Sequence, residues 1–374
     1  MSQRVGVGLI GGGMMGRELA AALARWPALS EHPIRPELVA VCDPDVAARS
    51  WFERIPSVRL RSADYHELLA DDSVDVVYVA VPHHLHEQIY LDTIAAGRDL
   101  LGEKPFGIDL AAAQRIVAAL EERPSVFARC SSEMPFFPGA QLALRLIAEG
   151  ALGQPIEAEA AFLHSSDLDR DKPINWKRQV QFCGRAGVMG DLGMHVVHPA
   201  LRAGWQVRSV YACLQDIVPE RPGPDGDLVR CDTIDNATLI CDAGFPLVLR
   251  THRIAPGEMN TWRLRAVGMD GGVEFSTAEP KTVWRFAVRD GRQVWERQQV
   301  GSQSVFATVT GPIFEFGFAD AILQMWAAFL LERAGVLDGR FGCATPQEAL
   351  IAHRLADAAL RSHRSGAAEQ VAGS

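Results

Sequence analysis

The distribution of apolar and polar residues divides the chain into two parts with different periodicities. In the first part, segments rich in alanine and leucine, typical of helices, follow short apolar runs: "RVGVGLI" at 4–10, "ELVAVCD" at 37–43, "DVVYVAVP" at 75–82 and "RDLLGEKP" at 98–105. Strands that are apolar along their length and alternate with helices predict a parallel sheet covered on both faces.

After "SVFARC", at 125–130, the pattern changes. A connecting helix is predicted at 136–150, and from "IEAEAAFLHS" at 156–165 onward strands are separated by the hairpin signals "DAGFP", "GMDGG" and "RDG". Two helical stretches, 314–335 and 346–363, precede a polar tail, "SGAAEQVAGS", that we expect to fray. The second part is therefore predicted to be a largely antiparallel sheet with helices.

Together these patterns predict an α/β protein of two domains. Residues 1–128 are expected to form an N-terminal Rossmann domain with a doubly wound parallel sheet. Residues 129–374 are expected to form a C-terminal α+β domain with a large, mostly antiparallel open sheet, and its helix at 346–364 should pack back toward the first domain. One uncovered face of such a sheet favours self-association, so we expect a homodimer or homotetramer.

Composition excludes several classes of protein. The 374 residues are 48% hydrophobic and 22% charged, which is ordinary for a globular chain. A formal net charge of −9 argues against a nucleic-acid partner, and the lack of an apolar run of about 18 residues argues against a membrane partner. The N-terminus lacks the pattern of a signal peptide, so a cytoplasmic location is expected. Seven scattered cysteines without a C-x-x-C pair suggest neither a disulfide framework nor a zinc site.

The first turn carries a glycine motif. "GGGMMG" supplies Gly11, Gly13 and Gly16 in a G-x-G-x-x-G pattern between a predicted strand and a predicted helix. Such glycines permit a tight turn and let a pyrophosphate lie at the helix N-terminus. The alternative is a structural glycine turn without a ligand.

The second predicted strand ends in an acidic residue. Asp43 in "VAVCDPD" could accept hydrogen bonds from a ribose 2′-hydroxyl and repel a 2′-phosphate, which predicts NAD as the cofactor and makes NADP less likely. It lies further from Gly16 than is usual, and the proline-containing loop "WPALSEHPIRP" accounts for the excess. A solvated Asp-Pro turn is the alternative.

Lys104 lies in "LLGEKPFG", directly before a proline. The proline disfavours helical geometry at Lys104, so its side chain projects from a fixed, extended backbone at the end of a predicted strand. A lone Glu-Lys-Pro is otherwise an ordinary solvated turn.

Two histidine-containing segments are further candidates. "AVPHHLHEQ" places His83, His84 and His86 after a strand, where a metal site is possible but contact with a cofactor is more natural in a dinucleotide fold. "GVMGDLGMHVVH" places Asp191 and His195 four residues apart, on one face of a helix, as in an acid-base pair. The alternatives are Asp191 as a helix cap with a surface His195, or a metal site that includes His198.

The combination of these motifs, in this order, resembles the glucose-fructose oxidoreductase / inositol dehydrogenase / rhizopine catabolism (Gfo/Idh/MocA) family. The resemblance includes the closing "CATPQEALIAHRLADAAL" and covers nearly the whole chain. It implies that Lys104, Asp191 and His195 are catalytic, and no metal is expected. The predicted cofactor-binding residues are Gly11, Gly13, Met14, Met15, Gly16, Asp43, Val81, Pro82, His83, His86, Glu103 and Lys104.

Some positions depart from the family pattern. His198 stands where the family often has an aspartate, and "SSEMPFFP" supplies Glu133 where many members have an Asn-x-Arg-like segment. "NWKR" at 175–178 resembles a segment that borders the site in some members, although it could be a surface loop. The predicted substrate-binding residues are Lys104, Glu133, Trp176, Lys177, Asp191, His195 and His198.

The resulting hypothesis is an NAD-dependent dehydrogenase that transfers a hydride between nicotinamide and a secondary hydroxyl or ketone of a sugar, polyol or inositol-like substrate. Two alternatives stay open: a non-catalytic dinucleotide-binding regulator, and a redox-assisted glycosidase or lyase that retains its NAD.

Overall fold

A computed structural model describes residues 3–301, 304–311 and 313–372. Its first sheet is parallel throughout, with the strand order β3-β2-β1-β4-β5-β6. The strands are β1 (Gln3–Ile10), β2 (Ile34–Cys42), β3 (Leu60–Ser62), β4 (Val76–Val79), β5 (Asp99–Gly102) and β6 (Ala128–Cys130). The chain reverses direction across this sheet between β1 and β4, and ligands bind at such a switch point in open α/β sheets.

Five helices connect these strands: α1 (Met14–Ala24), α2 (Val46–Ser50), α3 (Tyr65–Ala70), α4 (His86–Ala95) and α5 (Leu110–Glu122). Short polar residues fix where three of them begin. The side chains of Asp45, Asp64 and Asp109 accept hydrogen bonds from the first-turn amides of α2, α3 and α5 at 2.8, 2.9 and 2.9 Å. The alternation of strands and helices predicted from the sequence is confirmed.

The loop before Asp43 is shorter than predicted. A turn of 3₁₀-helix at Trp26–Ala28 follows α1, and β2 already begins at Ile34, so Pro36 lies within a strand. Pro36 is tolerated there because β3 pairs only with the far end of β2, from Ala40 onward, so the proline has a neighbouring strand on one side only.

The second sheet has nine strands in the order β16-β15-β14-β13-β7-β12-β11-β8-β17. They are β7 (Pro155–Leu163), β8 (Ser209–Gln215), β11 (Asn236–Asp242), β12 (Pro246–His252), β13 (Thr261–Gly268), β14 (Gly272–Ser276), β15 (Thr282–Arg289), β16 (Arg292–Gln299) and β17 (Glu369–Gln370). A separate ribbon is formed by β9 (Glu220–Pro222) and β10 (Leu228–Arg230). Among the described residues of this sheet, only β7 and β12 pair in parallel, so the sheet is mostly antiparallel, as predicted.

The remaining helices are α6 (Pro138–Ala148), α7 (Val180–Cys183), α8 (Val188–Arg202), α9 (Phe318–Arg333) and α10 (Pro346–Ser365). Helices α6, α8 and α10 contact the second sheet, and its strands alternate between buried and more exposed residues. This alternation is the pattern of a sheet with one face packed on the core and one face uncovered.

Helix α10 connects the two sheets. It contacts α5 and β6 on the Rossmann side and α8 and β8 on the other. Its N-terminus is a capping box: the Thr345 amide donates to Glu348 at 2.7 Å, and the Glu348 amide donates to Thr345 at 3.1 Å. Strand β6 spans the predicted domain boundary at residue 128, which stays a prediction.

The polar tail does not fray along its whole length. Residues 369–370 form strand β17 at the edge of the second sheet, where they pair with β8, and Val371 is buried. This prediction was wrong because the edge of β8 offers backbone hydrogen-bonding groups that a polar segment can satisfy. Within the described residues, none of the helices is both long and apolar enough to span a bilayer.

Candidate active site

A cavity of about 660 Å³ lies at the carboxyl edge of the first sheet, where segments of the second part of the chain close over it. Thirteen of the predicted site residues line it: Gly11, Gly13, Met14, Met15, Asp43, Val81, Pro82, His83, Glu103, Lys104, Trp176, Lys177 and Asp191. Its volume is in the range of small-molecule and cofactor sites. Motifs that are up to 180 residues apart in sequence are thus brought to one cleft.

The glycine motif forms one end of this cavity. Gly11 has a φ of 103°, and a Cβ there would overlap the carbonyl oxygen of Ala80, so the position requires glycine. Gly13 precedes α1 and has no side chain to cap it, which leaves the first-turn amides open to a ligand. Gly16 does not line the cavity: a Cβ there would overlap the carbonyl oxygen of Gly11, so its role is the close approach of the helix to the loop.

Asp43 follows β2 directly and is held by the glycine loop. Its Oδ2 accepts a hydrogen bond from the Gly12 amide at 2.7 Å, and its Oδ1 accepts one from the Asp45 amide at 2.8 Å. These contacts aim the carboxylate along the cavity wall, beside the first turn of α1. The arrangement suits a dinucleotide, with the phosphates at the helix and a ribose at the carboxylate.

Lys104 lies two residues beyond the end of β5, before a cis peptide bond to Pro105. Its Nζ donates to Asp191 Oδ1 at 3.0 Å, across the cleft between the two parts of the chain. Burial alone would lower the pKa of Lys104, but Asp191, Glu103 and Glu133 outweigh burial and raise it, so the lysine is charged.

Asp191 lies in the first turn of α8, a helix that is buried along almost its whole length. Three cations surround its carboxylate: Lys104, Lys177, whose Nζ lies 2.9 and 3.0 Å from the two oxygens, and Arg253, whose Nη2 lies 4.0 Å away. Burial opposes ionisation, but these cations hold the pKa of Asp191 well below its usual value. Asp191 is therefore neither a helix cap nor a hydrogen-bond partner of His195 among the described contacts.

His195 lies one helical turn beyond Asp191 and is only 1% exposed. Its backbone carbonyl accepts a hydrogen bond from the Trp262 indole at 2.8 Å, and its ring meets Phe162 edge to face. The Nε2 atom lies 3.9 Å from Oε1 of Glu133, which is also buried. Burial, together with Lys104, lowers the pKa of His195 well below its usual value, and neither His195 nor Glu133 lines the cavity.

The three histidines of "PHHLH" make different contacts: the rings of His83 and His86 lie 5.5 Å apart, and His84 packs on Phe182. His83 lines the cavity, packs edge to face on Trp176, and its Nδ1 is 3.1 Å from the Cys183 carbonyl oxygen. His86 lies outside the cavity lining, with its ring nitrogens 2.7 and 2.9 Å from the carbonyl oxygens of Pro105 and Val81. It thereby fixes the turn that carries Lys104. No group of three or more His, Cys, Asp or Glu side chains suitable for a metal ion occurs among the described residues.

His198 does not reach the cavity. It is fully buried on α8 and packs on Phe341, with ring centroids 4.9 Å apart. Burial and Arg202 lower its pKa well below the usual value, so it is neutral. In contrast, Trp176 and Lys177 line the cavity from a short 3₁₀-helix capped by the Asn175 side chain, so "NWKR" is not merely a surface loop.

Sequence reasoning missed three residues around this site. Tyr78, in β4, donates its hydroxyl hydrogen to Glu103 Oε1 at 2.5 Å and so anchors the segment before Lys104. Arg253 faces Asp191 from the end of β12, and its Nη1 donates to the Lys177 carbonyl at 2.9 Å. His164, beyond β7, has a pKa lowered to about 4, mainly by burial, with Lys177 and Arg253 adding to the effect. The tyrosine could have been suspected, because a hydroxyl in a buried strand requires a partner.

Two family models match the chain. Residues 5–129 match a family model described as "Oxidoreductase family, NAD-binding Rossmann fold", and residues 140–274 match the "GFO/IDH/MocA C-terminal domain". The chain belongs to the Gfo/Idh/MocA oxidoreductase family. Its N-terminal part is therefore an NAD-binding Rossmann fold, as the resemblance implied.

Named relatives extend the comparison. The chain is 27% identical over 332 residues to levoglucosan dehydrogenase of Pseudarthrobacter phenanthrenivorans, which covers 84% of this chain and 82% of that protein. It is 28% identical over 190 residues to human trans-1,2-dihydrobenzene-1,2-diol dehydrogenase, over 51% of this chain and 53% of the human one. A solved levoglucosan dehydrogenase in complex with NADH and levoglucosan has the same fold, with a TM-score of 0.90 at 21% identity over 99% of this chain and 100% of that one.

Proposed function

We propose that the protein is an NAD-dependent dehydrogenase that oxidises a secondary hydroxyl of a cyclic, sugar-like substrate, or reduces the corresponding ketone. The observation that carries this proposal is the Lys104–Asp191 ion pair at 3.0 Å, buried at the carboxyl edge of the Rossmann sheet and facing the cofactor cavity. A cation fixed at this place is suited to stabilise an alkoxide as it develops. Levoglucosan dehydrogenase and a trans-1,2-dihydrobenzene-1,2-diol dehydrogenase are both among the relatives.

The residues that would hold NAD lie at both ends of the cavity. The open amides of α1 after Gly13 suit its pyrophosphate and Asp43 suits the ribose diol, so that Lys104, which also lines the cavity, would lie beside the nicotinamide. Bound NAD would supply the hydride acceptor.

Each of three polar side chains then has a task in alcohol oxidation. Lys104 donates a hydrogen bond to the substrate oxygen. Asp191 holds that lysine in place and stabilises its charged form, and His195 takes the hydroxyl proton. Because His195 does not line the cavity, the substrate hydroxyl can reach its ring only if a neighbouring side chain moves. Lys177, whose long side chain is 39% exposed, can supply this movement while Lys104 stays paired with Asp191.

The test is a substrate screen with the purified protein and NAD. Levoglucosan, inositols, pyranoses and a cyclic trans-diol are supplied in turn, and NADH formation is followed by its absorbance. We expect net NADH from at least one ring alcohol and loss of that signal in Lys104→Met. Product formation without net NADH would instead indicate retained cofactor and a redox-assisted lyase or glycosidase, and NAD binding without turnover on any ring alcohol would indicate a regulator.

We also propose that the uncovered face of the second sheet forms a contact between copies of this chain, giving a homodimer or homotetramer. Tyr211, Ile240, Trp284 and Trp295 are exposed by 41%, 50%, 37% and 39% on its strands, which is unusual for apolar side chains that stay in water. Light scattering after gel filtration measures the assembly, and Ile240→Glu should shift it toward the monomer. The cytoplasmic location is likewise a proposal, and cell fractionation tests it.

A further inference from the structure

The carboxyl group of Glu133 lies beside the ring of His195, and one of its oxygens lacks a hydrogen-bond partner among the described residues. Glu133 follows β6 and is 3% exposed. Its Oε1 lies 3.9 Å from His195 Nε2, its Oε2 has no hydrogen-bond partner, and His195 Nδ1 has none either among the described residues. Buried polar atoms are rarely left in this state without a functional reason, so the pair is a candidate for a contact that forms during the reaction.

Asp191 is committed elsewhere, although its spacing from His195 suggested an acid-base pair. Its two oxygens accept hydrogen bonds from Lys104 and Lys177, and Arg253 lies within ion-pair distance. No described hydrogen bond joins Asp191 to His195. The carboxylate that is near a ring nitrogen of His195 is that of Glu133.

We propose that Glu133 is the positioning residue of His195. It accepts a hydrogen bond from Nε2, which fixes the ring tautomer with an unprotonated Nδ1. This nitrogen is buried, so it meets the substrate hydroxyl only after a side chain that covers the ring has moved. It also stabilises the imidazolium once the ring is protonated. A carboxylate does the same for the histidine of a serine-hydrolase triad. The present 3.9 Å separation is compatible with this role, since hydrogen bonds in catalytic sites are often long before substrate binds and shorten in the complex.

The inference rests on the proposed dehydrogenase function. In the oxidation direction the substrate O–H bond breaks and the proton forms a bond to Nδ1. The C–H electron pair leaves as hydride to oxidised NAD, and a carbonyl remains. Glu133 needs to be ionised for this step, because a protonated carboxyl cannot accept the Nε2 proton and at the same time balance the charge of the imidazolium.

The charged and titratable groups around Glu133 decide when it is ionised. Glu103 and Lys104 face it from the end of β5, Tyr78 from β4 and Cys130 from β6. Burial and Glu103 raise the pKa of Glu133 to about 7, and Lys104 opposes them. The glutamate therefore changes charge close to neutral pH.

His195 is surrounded differently. Lys104, Asp191 and Lys177 act on it from the cleft, and His198 lies one turn along the same helix. Burial, Lys104 and Lys177 lower its pKa and only Asp191 opposes them, so that the pKa falls well below 6.5. An acid limb of the activity profile near pH 7 would thus belong to Glu133 and not to the ring itself.

Glu133→Gln tests the role, because it keeps the size of the side chain and a hydrogen-bond acceptor while removing the charge. We expect kcat for alcohol oxidation to fall by about tenfold to a hundredfold above neutral pH, with little change in KM and with loss of the acid limb near pH 7. Glu122→Gln, which removes a carboxylate from the exposed end of α5, is the matched control and should keep the wild-type profile. In a His195→Ala background, Glu133→Gln should cost almost nothing further.

A second readout does not depend on turnover. In NMR spectra of the isotope-labelled enzyme with NADH bound, the His195 signals are assigned by their loss in His195→Gln. Above neutral pH the ring should carry its proton on Nε2, and Glu133→Gln should weaken this preference. If the substrate screen finds no turnover, this measurement still decides the role of Glu133.

Two results would overturn the inference. One is a Glu133→Gln variant that keeps the acid limb and changes only KM, since that is the behaviour of a substrate contact. The other is an unchanged His195 tautomer. If Glu133→Gln melts far below the wild type, Glu133→Asp replaces it: the shorter carboxylate should keep the acid limb and lose part of kcat, and loss of the limb would count against the role.

Discussion

Asp191 and Glu133 both interact with Lys104 in the same buried site, yet they differ in charge behaviour. Their side chains are 3% and 5% exposed, so burial is nearly equal. Asp191 has Lys104, Lys177 and Arg253 within 4.0 Å, and its pKa is held well below the usual range. Glu133 has only the opposing effect of Lys104 and a neighbouring Glu103, and its pKa rises to about 7. The ionisation of a buried carboxyl is therefore set by its partners more than by its depth.

The largest loss of stability and activity is expected at Asp191, the carboxylate with the most cationic partners. Asp191→Asn removes the charge that three cations surround, and breaking a buried ion pair in this way costs about 3–5 kcal/mol. We expect a large fall in the midpoint of thermal unfolding and a loss of about 10²-fold or more in kcat, because Lys104 is no longer fixed. Calorimetry and steady-state kinetics measure both. A variant that melts like the wild type would mean that the cations are hydrated and that Asp191 is not their anchor.

Removal of the charge of Lys104, which interacts with both Asp191 and Glu133, tests both carboxyls at once. Lys104→Met keeps the length of the side chain but loses its charge and its donors, so kcat should fall by about 10²-fold or more. NADH affinity, measured by fluorescence titration, should change far less, since the glycine turn and Asp43 bind the rest of the cofactor. A rate close to wild type on the true substrate would show that Lys104 is a structural turn residue. The main support for the proposed dehydrogenase function would then be lost.

A third carboxylate extends the comparison to a partly exposed site. Asp43 is held by two backbone amides and not by cations, so it is free to accept hydrogen bonds from the ribose and to repel an added phosphate. We expect kcat/KM with NAD to exceed that with NADP by about tenfold or more. Asp43→Ala should reduce the difference. A preference for NADP would show that Asp43 is not the ribose ligand.

The two buried carboxyls should also give opposite pH dependences of stability. The folded-state pKa of Glu133 lies above its unfolded value of 4.5, so its neutral form favours folding at low pH and this contribution is lost as pH rises through about 7. Asp191 is the reverse: its contribution is present above 3.8 and is lost only as pH falls through its depressed folded-state pKa. Glu133→Gln should therefore gain a few degrees in melting temperature relative to wild type between pH of about 5 and 8. A constant difference across this range would contradict the raised pKa.

The smallest effect is expected from chelators. Because lysines and an arginine neutralise Asp191, the reaction needs no metal ion at that carboxylate, and EDTA should leave kcat unchanged. Activity that is lost with EDTA and restored by zinc or manganese would contradict this account of the two carboxyls, since a bound metal ion would then determine their ionisation.

The strand-helix alternation, the glycine turn and the positions of Lys104, Asp43 and Asp191 could be predicted because each depends on local rules. Period and apolar content predict the elements, proline fixes the backbone at Lys104, and the carboxyl ends of parallel strands lie at one edge of a sheet. The same rules predicted the hairpins of the second sheet.

The contacts between motifs could not be predicted in this way. The i and i+4 spacing of Asp191 and His195 is real, but two lysines and Arg253 from other segments compete for Asp191, and Glu133 lies closer to the ring. His86 and His198 are of a residue type that often binds cofactors or metal ions, yet packing places them outside the cavity lining. The sequence by itself determined which groups are available and which elements carry them. Only the tertiary structure decided which charges meet, because ion pairing and burial depend on distances between segments that are remote in the chain.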